Sequence, residues 1–447
     1  MSALVDFMKL RRIFVSSAIL SITFALTVTN NLVDQFYVTL NGMEAAHAYT
    51  LDVPITWIMA SAATALSAVY SRDVRRELVR GHMRNAERVA VRALIYSVIF
   101  GFIVALILAA SIIPLFWIIT EPGTGDAAVM YLTPQLCLFF CMSISCMLGG
   151  FLNAEGKTKL YTMSLIASVL TNIALGHIFV VVMDMGMTGN GLATALGSAV
   201  TMLVLLGYYI TGRTAVHLHM RRFSWSFEAV KVAFARIWPT MSRLLVRYIA
   251  ELIIRFSLFM TYALTYGIPM LFSALIAAFG AGAGTYLAAE YNKAYKEKRY
   301  EDSKRIFVIS IIIGGGTLFL MSTMLYIFAE PIAGIFTIDS SLEESRDTLI
   351  WTMRVLCFTA PFLGLNSIIQ AVWSPVGKKE RGVFVDIVIQ TIKVSSILYA
   401  ISIAEDFTMA VYLLLAFRVT STALNAIFAV KGLRRRYKPH CAETATA

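Results

Sequence analysis

Long apolar runs, separated by short charged segments, make up most of the chain. Residues 93–115 and 306–328 contain no charged side chain, and about 20 apolar residues are enough to cross a bilayer as a helix. Strands of a membrane barrel would instead alternate between apolar and polar positions over segments of about 10 residues. The pattern therefore predicts an all-α polytopic membrane protein.

The apolar runs divide the chain into a regular series of spans. We predict twelve transmembrane helices, with boundaries uncertain by about 2–4 residues. The predicted spans are 13–38, 53–70, 89–119, 128–153, 160–183, 191–212, 238–264, 268–288, 306–329, 349–373, 382–404 and 409–431.

A six-span unit is present twice in this series. Pro54 in span 2 and Pro269 in span 8 are each followed by a basic loop, and Gly156-Lys157 after span 4 matches Gly377-Lys378 after span 10. Because six is an even number, both copies enter the membrane in the same direction, which predicts two six-helix bundles in a parallel pseudo-two-fold repeat. We assign residues 1–212 to the N-terminal bundle, 213–237 to a cytoplasmic linker, and 238–447 to the C-terminal bundle with its basic tail.

The distribution of charge predicts the orientation. The 447 residues are 58% hydrophobic and 15% charged, with a formal net charge of +11. Nearly all Lys and Arg outside the spans fall on one side of the twelve-span arrangement, which places both termini in the cytoplasm by the positive-inside rule. The opposite loops contain mainly acids, among which we include Glu44 and Asp52. This explains the positive charge without a nucleic-acid partner and predicts a multi-pass protein of the inner or plasma membrane.

Three short strings resemble one family of membrane transporters. Asn31–Val38 at the end of span 1 looks like a Val-Asp-x-x-x-Val helix end, Leu170–Ile173 looks like an asparagine-bearing helix, and Gly189–Ala195 resembles a Gly-x-Gly-x-Ala-Thr motif. Together with the span count and the repeat, they resemble the multidrug and toxic compound extrusion (MATE) transporters. The resemblance covers nearly the whole chain.

The resemblance implies a coupling site around an acid of span 1. It implies that Asp34, Asn172 and Thr194 converge in a cavity of the N-terminal half. Asn30 lies one turn before Asp34 on the same helix face. A charge deep in a transmembrane helix is costly and usually functional, whereas an Asp34 near the headgroups would simply be solvated.

Two features of the chain depart from the family pattern. Where many prokaryotic members have an aspartate, one turn after the span 5 asparagine, this chain has Gly176, followed by His177. Fewer acids make sodium coordination less favourable at this position. Span 1 also lacks the family's proline, so a mechanism driven by a proline kink is not expected here.

Span 7 contains an unusual row of charges. Arg243, Arg247, Glu251 and Arg255 recur every four residues and so lie along one drifting helix face. Glu251 can pair with Arg247 or Arg255. Positive charge is then left unmatched on this helix, and Asp386 of span 11 is a candidate partner for the remaining arginines. Two interpretations stay open, a structural salt-bridge network and a cavity that binds anionic or zwitterionic compounds.

The predicted function is a secondary active antiporter. It would export small organic compounds in exchange for protons or sodium by alternating access. The alternative is a flippase for a lipid-linked or phosphate-bearing precursor, and a scaffold or receptor that does not transport is a third possibility. Gly314-Gly315-Gly316 lacks the Lys-Ser or Lys-Thr of a nucleotide-binding loop. We therefore expect no enzyme activity, nucleotide-driven or otherwise. We also expect no cofactor besides the coupling ion. The protein is expected to be a monomer whose partners are its small-molecule substrate and membrane lipid.

Overall fold

A computed structural model of the protein describes residues 2–218, 225–258, 260–373 and 379–444. Every regular element in these ranges is helical, which agrees with the predicted class. The α-helices are α1 (Ser2–Thr39), α2 (Gly42–Val79), α3 (Met83–Ile119), α4 (Pro122–Cys137), α5 (Phe139–Ala154), α6 (Thr158–Gly176), α7 (Gly186–Ile210), α8 (Phe227–Phe256), α9 (Met260–Lys296), α10 (Tyr300–Ile327), α11 (Ala329–Phe336), α12 (Arg346–Cys357), α13 (Ala360–Trp373), α14 (Lys379–Leu398) and α15 (Phe407–Thr444). Single π-helical segments extend α6 over His177–Val182 and α14 over Tyr399–Ile403.

Several of these helices are suited to a membrane. Within the described residues, eight helical stretches are long and apolar enough to cross it, one of which (Ser340–Ile369) runs over α12 and most of α13, and the count is nine if the bent pair α4 and α5 forms one span. The outward side of α3 is apolar, with Phe102 and Leu106 exposed by 55% and 71%, as expected where lipid replaces water. The chain is a multi-pass membrane protein, and the count of twelve spans stays a prediction.

The predicted span 4 is broken near its middle. Helices α4 and α5 meet at Leu138 with a bend of 52°, one turn after Pro134. Proline has no backbone N–H and its ring crowds the preceding turn, so a helix kinks beside it. The bend explains why one apolar run forms two helices.

Two boundaries differ from the predictions in ways that matter for the site. Helix α2 begins at Gly42, well before the predicted start of span 2, and Asp52 is a buried residue inside it. The assignment of Asp52 to a loop was therefore wrong, because a single acid at the end of an apolar run does not end a helix. Helix α8 begins at Phe227 and ends at Phe256, so it starts and ends earlier than predicted span 7.

The helices form two compact units. The first unit comprises Asn30–Leu264 and Phe336–Glu344, and the second comprises Met1–Thr29, Thr265–Ile335 and Ser345–Ala447. Helix α8, which the sequence placed in the C-terminal bundle, packs against α2 inside the first unit. These two units are defined by contacts between residues, whereas the predicted repeat concerns duplication of the sequence. The repeat and its domain boundaries therefore stay a prediction.

One acid anchors the beginning of the predicted linker to the first unit. The buried carboxylate of Glu155 accepts hydrogen bonds from the backbone N–H groups of Ala215 (2.9 Å) and Val216 (3.0 Å). The ammonium group of Lys157 lies 3.3 Å from the same carboxylate and donates to the carbonyl of Arg213. The loop after α5 and the segment after α7 are therefore held together.

In the second unit, polar side chains join α15 to α13 and to Thr359, the residue just before α13. Arg418 donates to the hydroxyl of Thr359 (2.6 Å), and Asn425 donates to the Oδ1 atom of Asn366 (2.8 Å). Hydrogen bonds between apolar helices stabilise packing in a membrane. They also give Arg418 a defined position in this unit.

Candidate functional site

The acid of the first helix lies in the interior of the protein. Asp34 is in the last turns of α1, which ends at Thr39, and its side chain has 0% exposure. A solvated carboxylate near the headgroups is excluded by this burial. Within the described residues, the structure shows no ion pair between Asp34 and a basic side chain, so neutral groups surround it.

Three neutral side chains donate hydrogen bonds to the carboxylate. The hydroxyl of Thr194 and the Nδ2 atom of Asn172 donate to Oδ1 at 2.6 and 2.9 Å. The hydroxyl of Tyr131 donates to Oδ2 at 2.8 Å. The structure thus brings Asn172 and Thr194 to Asp34, as the family resemblance implies, and adds a tyrosine that the sequence did not indicate.

Each donor comes from a different helix, so the site depends on close helix packing. Tyr131 lies on α4, Asn172 on α6 and Thr194 on α7. A Cβ atom at Gly191 would lie only 2.1 Å from the carbonyl oxygen of Tyr131, so a side chain there would push α7 away from α4. The second glycine of the Gly-x-Gly motif is therefore required for the site to close.

A second asparagine completes what we call the Asp34 cluster, which consists of Asp34, Tyr131, Asn172, Asn190 and Thr194. The Nδ2 atom of Asn190 donates to the backbone carbonyl of Asp34 at 3.0 Å. The side-chain oxygens of Asn172 and Asn190 are buried and have no hydrogen-bond partner. Carboxylate, hydroxyl and amide oxygens are groups that can hold a hard cation, and a carboxylate can also hold a proton.

Gly176, where the family resemblance implies an aspartate in many prokaryotic members, packs against an aromatic ring. A Cβ atom at Gly176 would lie 2.5 Å from the Cε2 atom of Tyr37. The hydroxyl of Tyr37 donates to the carbonyl of Ile173, one turn earlier, at 2.8 Å. Glycine is thus required for the Tyr37 ring to pack on α6, and the ring leaves no space for a second carboxylate.

Two other predicted site residues, Asn30 and Arg247, take no part in the three side-chain hydrogen bonds that Asp34 accepts. Asn30 is half-buried, and its buried Oδ1 atom has no hydrogen-bond partner. Arg247 is half-buried on α8. The side chain of Asp386 lies outside the described residues, so its pairing with the bases of α8 stays a prediction.

The charged row on α8 forms contacts within the first unit. Arg255 has 0% exposure and pairs with Glu251 at 3.6 Å. Its Nη1 atom donates to the carbonyl of Thr50 on α2 at 2.7 Å, and its guanidinium group lies 5.7 Å from the centre of the Trp57 ring. Of the two partners considered for Glu251, the structure favours Arg255.

Sequence reasoning missed Tyr131 because nothing in an apolar helix marks one tyrosine as different from another. Its ring packs edge-on against Tyr49 at 5.1 Å between centroids, and the hydroxyl of Tyr49 donates to the carbonyl of Asn31. A buried tyrosine hydroxyl needs a partner. From the sequence one could infer only that a buried Tyr131 would need a hydrogen-bond partner. One could not infer that the partner is Asp34.

Comparison with known proteins supports the resemblance. The family model described as MatE matches residues 20–178 and 261–398, which is more than half of the chain. A comparison with curated proteins found no match.

Solved structures share the fold at low sequence identity. An inward-facing multidrug resistance MATE family transporter of the MOP superfamily is 20% identical, with a TM-score of 0.80 over 94% of this chain and 99% of that one. An outward-facing structure of such a transporter is 21% identical, with a TM-score of 0.78 over 96% and 95%. A MOP superfamily transporter from Pyrococcus furiosus, described as having a binding pocket of reverse polarity, is 21% identical, with a TM-score of 0.76 over 94% and 95%. At these identities the likeness shows the fold alone.

Proposed function

Because the chain belongs to the MatE family of multidrug and toxic compound extrusion transporters, we propose that it is a secondary active antiporter. It exports small organic compounds in exchange for protons or sodium, by alternating access across the inner or plasma membrane. The observation that carries this proposal is the buried carboxylate of Asp34, which accepts three side-chain hydrogen bonds. An acid at such a position in a membrane protein is costly unless it has a function.

The Asp34 cluster supports cation coupling because its donors can rearrange. The Thr194 hydroxyl donates to Asp34 and also lies 3.3 Å from the carbonyl of Asn190. When a proton binds to the carboxylate, the hydroxyl turns to that carbonyl and accepts a hydrogen bond from Asp34. A bound sodium ion would instead use the carboxylate together with the free amide oxygens of Asn172 and Asn190.

The proton is the ion we favour. The ring of Tyr37 fills the position beside Gly176 where a second acid would lie, so Asp34 is the one carboxylate in the Asp34 cluster. Proton binding needs a single carboxylate, whereas a dehydrated cation needs several oxygen ligands. Sodium stays the alternative because the side-chain oxygens of Asn172 and Asn190 could act as further oxygen ligands.

Alternating access requires that cation binding changes the stability of one conformation relative to another. The cluster joins α1, α4, α6 and α7 through a single side chain. Neutralising Asp34 weakens the charge-assisted hydrogen bonds that hold these helices together, so the cation favours a different packing of the first unit. Substrate release would follow that change.

Transport by reconstituted protein tests the proposal. Vesicles that contain the purified protein are loaded with cationic, zwitterionic or anionic fluorescent compounds, and proton and sodium gradients are imposed separately. Export driven by one gradient supports an antiporter and identifies both the ion and the charge of the substrate. If the folded protein exports nothing under either gradient, the antiporter is contradicted and a flippase for a lipid-linked precursor becomes the better account.

A further inference from the structure

A second buried carboxyl group lies in the first unit, on α2. Asp52 has 0% exposure, and neither of its oxygens has a hydrogen-bond partner. An ionised carboxylate taken out of water without pairing or hydrogen bonds is one of the most expensive groups a protein can bury. Such a group needs a ligand that removes its charge, and a proton is the smallest one.

Asp52 is close to the network that surrounds Asp34. It lies one turn after Tyr49 on the same face of α2. The ring of Tyr49 packs against Tyr131, which donates to Asp34. Tyr49 therefore links the two acids, through its position one turn before Asp52 and through its contact with the ring of Tyr131.

The ionisable groups around this region come from several helices. Tyr49 is on α2 itself, Asp34 on α1, Tyr131 on α4, and the pair of Glu251 and Arg255 on α8. The helices α3 and α5 also pack against α2, but they have no Asp, Glu, Lys or Arg in 93–119 and 139–154. The guanidinium group of Arg255 is directed to Glu251 and to the carbonyl of Thr50, and Asp52 has no hydrogen bond to it.

We propose that Asp52 is a second proton-carrying acid of the transport cycle, so that the first unit loads one proton at Asp34 and another at Asp52. This inference rests on the proposed antiporter and deepens it by adding a site on a different helix. In the packing seen here the proton on Asp52 is sealed from water. It is released when α2 moves relative to α8 and water reaches the carboxylate.

Infrared spectroscopy of the full-length protein in lipid tests whether Asp52 carries a proton. The variant D52N should lose one component of the protonated-carboxyl absorption at neutral pH, and D34N should leave that component in place. As a matched control on the same helix, the exposed acid Glu44 is changed in E44Q, which should not alter the band. An unchanged band in folded D52N would overturn the proposal.

The number of protons moved for each substrate molecule tests whether that proton takes part in transport. This number follows from the membrane potential at which net flux stops under a fixed proton gradient. It should be one proton lower in D52N than in the wild type, whereas D52E should keep the wild-type value. An unchanged number in D52N would show that the proton is fixed and would overturn the proposal. If the wild type itself shows no gradient-driven transport, the antiporter fails, and the infrared result still reports on Asp52 alone.

Discussion

Arg255 on α8 donates a hydrogen bond of 2.7 Å to the backbone carbonyl of Thr50 on α2. That carbonyl has lost its helical partner, because the residue four positions later is Pro54, which has no N–H group. A buried carbonyl without a donor is costly. Arg255 therefore donates the hydrogen bond that Pro54 cannot, and it holds α8 against α2.

Replacing this arginine should destabilise the protein strongly. In R255M the Thr50 carbonyl loses its hydrogen bond from Arg255, and Glu251 loses the buried ion pair with Arg255. Breaking a buried pair costs about 3–5 kcal/mol, so the midpoint of thermal unfolding in detergent should fall clearly. The matched change R247M removes a half-buried arginine from the same helix and should have a much smaller effect. Equal midpoints for the two variants would contradict this account of Arg255.

Removing the Thr194 hydroxyl should strengthen proton binding at Asp34 without unfolding the site, because this hydroxyl donates to the ionised carboxylate and stabilises its charged form. The variant T194V keeps the side-chain volume but removes a hydrogen bond to a charged group, which is worth about 1.5–3 kcal/mol. Half-maximal transport should therefore occur at a proton concentration roughly ten to a hundred times lower. T194S keeps the hydroxyl and should stay close to the wild type. If T194V and T194S have the same cation dependence, the hydroxyl has no part in coupling.

The contact between Gly176 and Tyr37 predicts a stability difference between two glycines. In G176A the added Cβ atom would meet the tyrosine ring, and overpacking of this kind costs about 1–3 kcal/mol. At Gly207 on α7 no atom lies within 4 Å of a built Cβ. There G207A should leave the thermal midpoint unchanged or raise it slightly, because alanine favours a helix. A midpoint in G176A as high as that in G207A would show that the ring can move aside.

Arg247 distinguishes the two interpretations of the charged row on α8. Of the two arginines of the row whose side chains are described, Arg255 already contacts Glu251 and Thr50, so Arg247, which is half-buried, is the one to test for recognition of an anion. If the row binds substrate, R247A should raise the concentration of anionic compounds needed for half-maximal export and leave cationic compounds unaffected. Loss of folded protein in R247A would instead support a structural role for Arg247.

The sequence predicted some parts of the site better than others, for physical reasons. Asp34, Asn172 and Thr194 could be proposed because polar residues are conspicuous in apolar helices and matched a family pattern. Tyr131 and Asp52 could not be proposed from the sequence. Their surroundings depend on which helices pack together, and the pattern of apolar spans does not predict that packing.

The position of α8 shows the same limit of the sequence. Its row of charges was visible, but its packing against α2 was not, since the predicted duplication assigned it to the other bundle. The lysines and arginines predicted the orientation of the chain, which stays a prediction.

The measurement that tests the central claim most directly compares two kinds of flux in reconstituted D34N. Gradient-driven export requires the coupling cation, whereas exchange of labelled for unlabelled substrate at equal concentrations on both sides requires only substrate binding and movement. We expect D34N to lose gradient-driven export and to retain exchange. The control D126N changes an exposed aspartate of the same unit, which accepts a hydrogen bond from Trp117, and should retain both fluxes. Full gradient-driven export by D34N would contradict the assignment of coupling to Asp34.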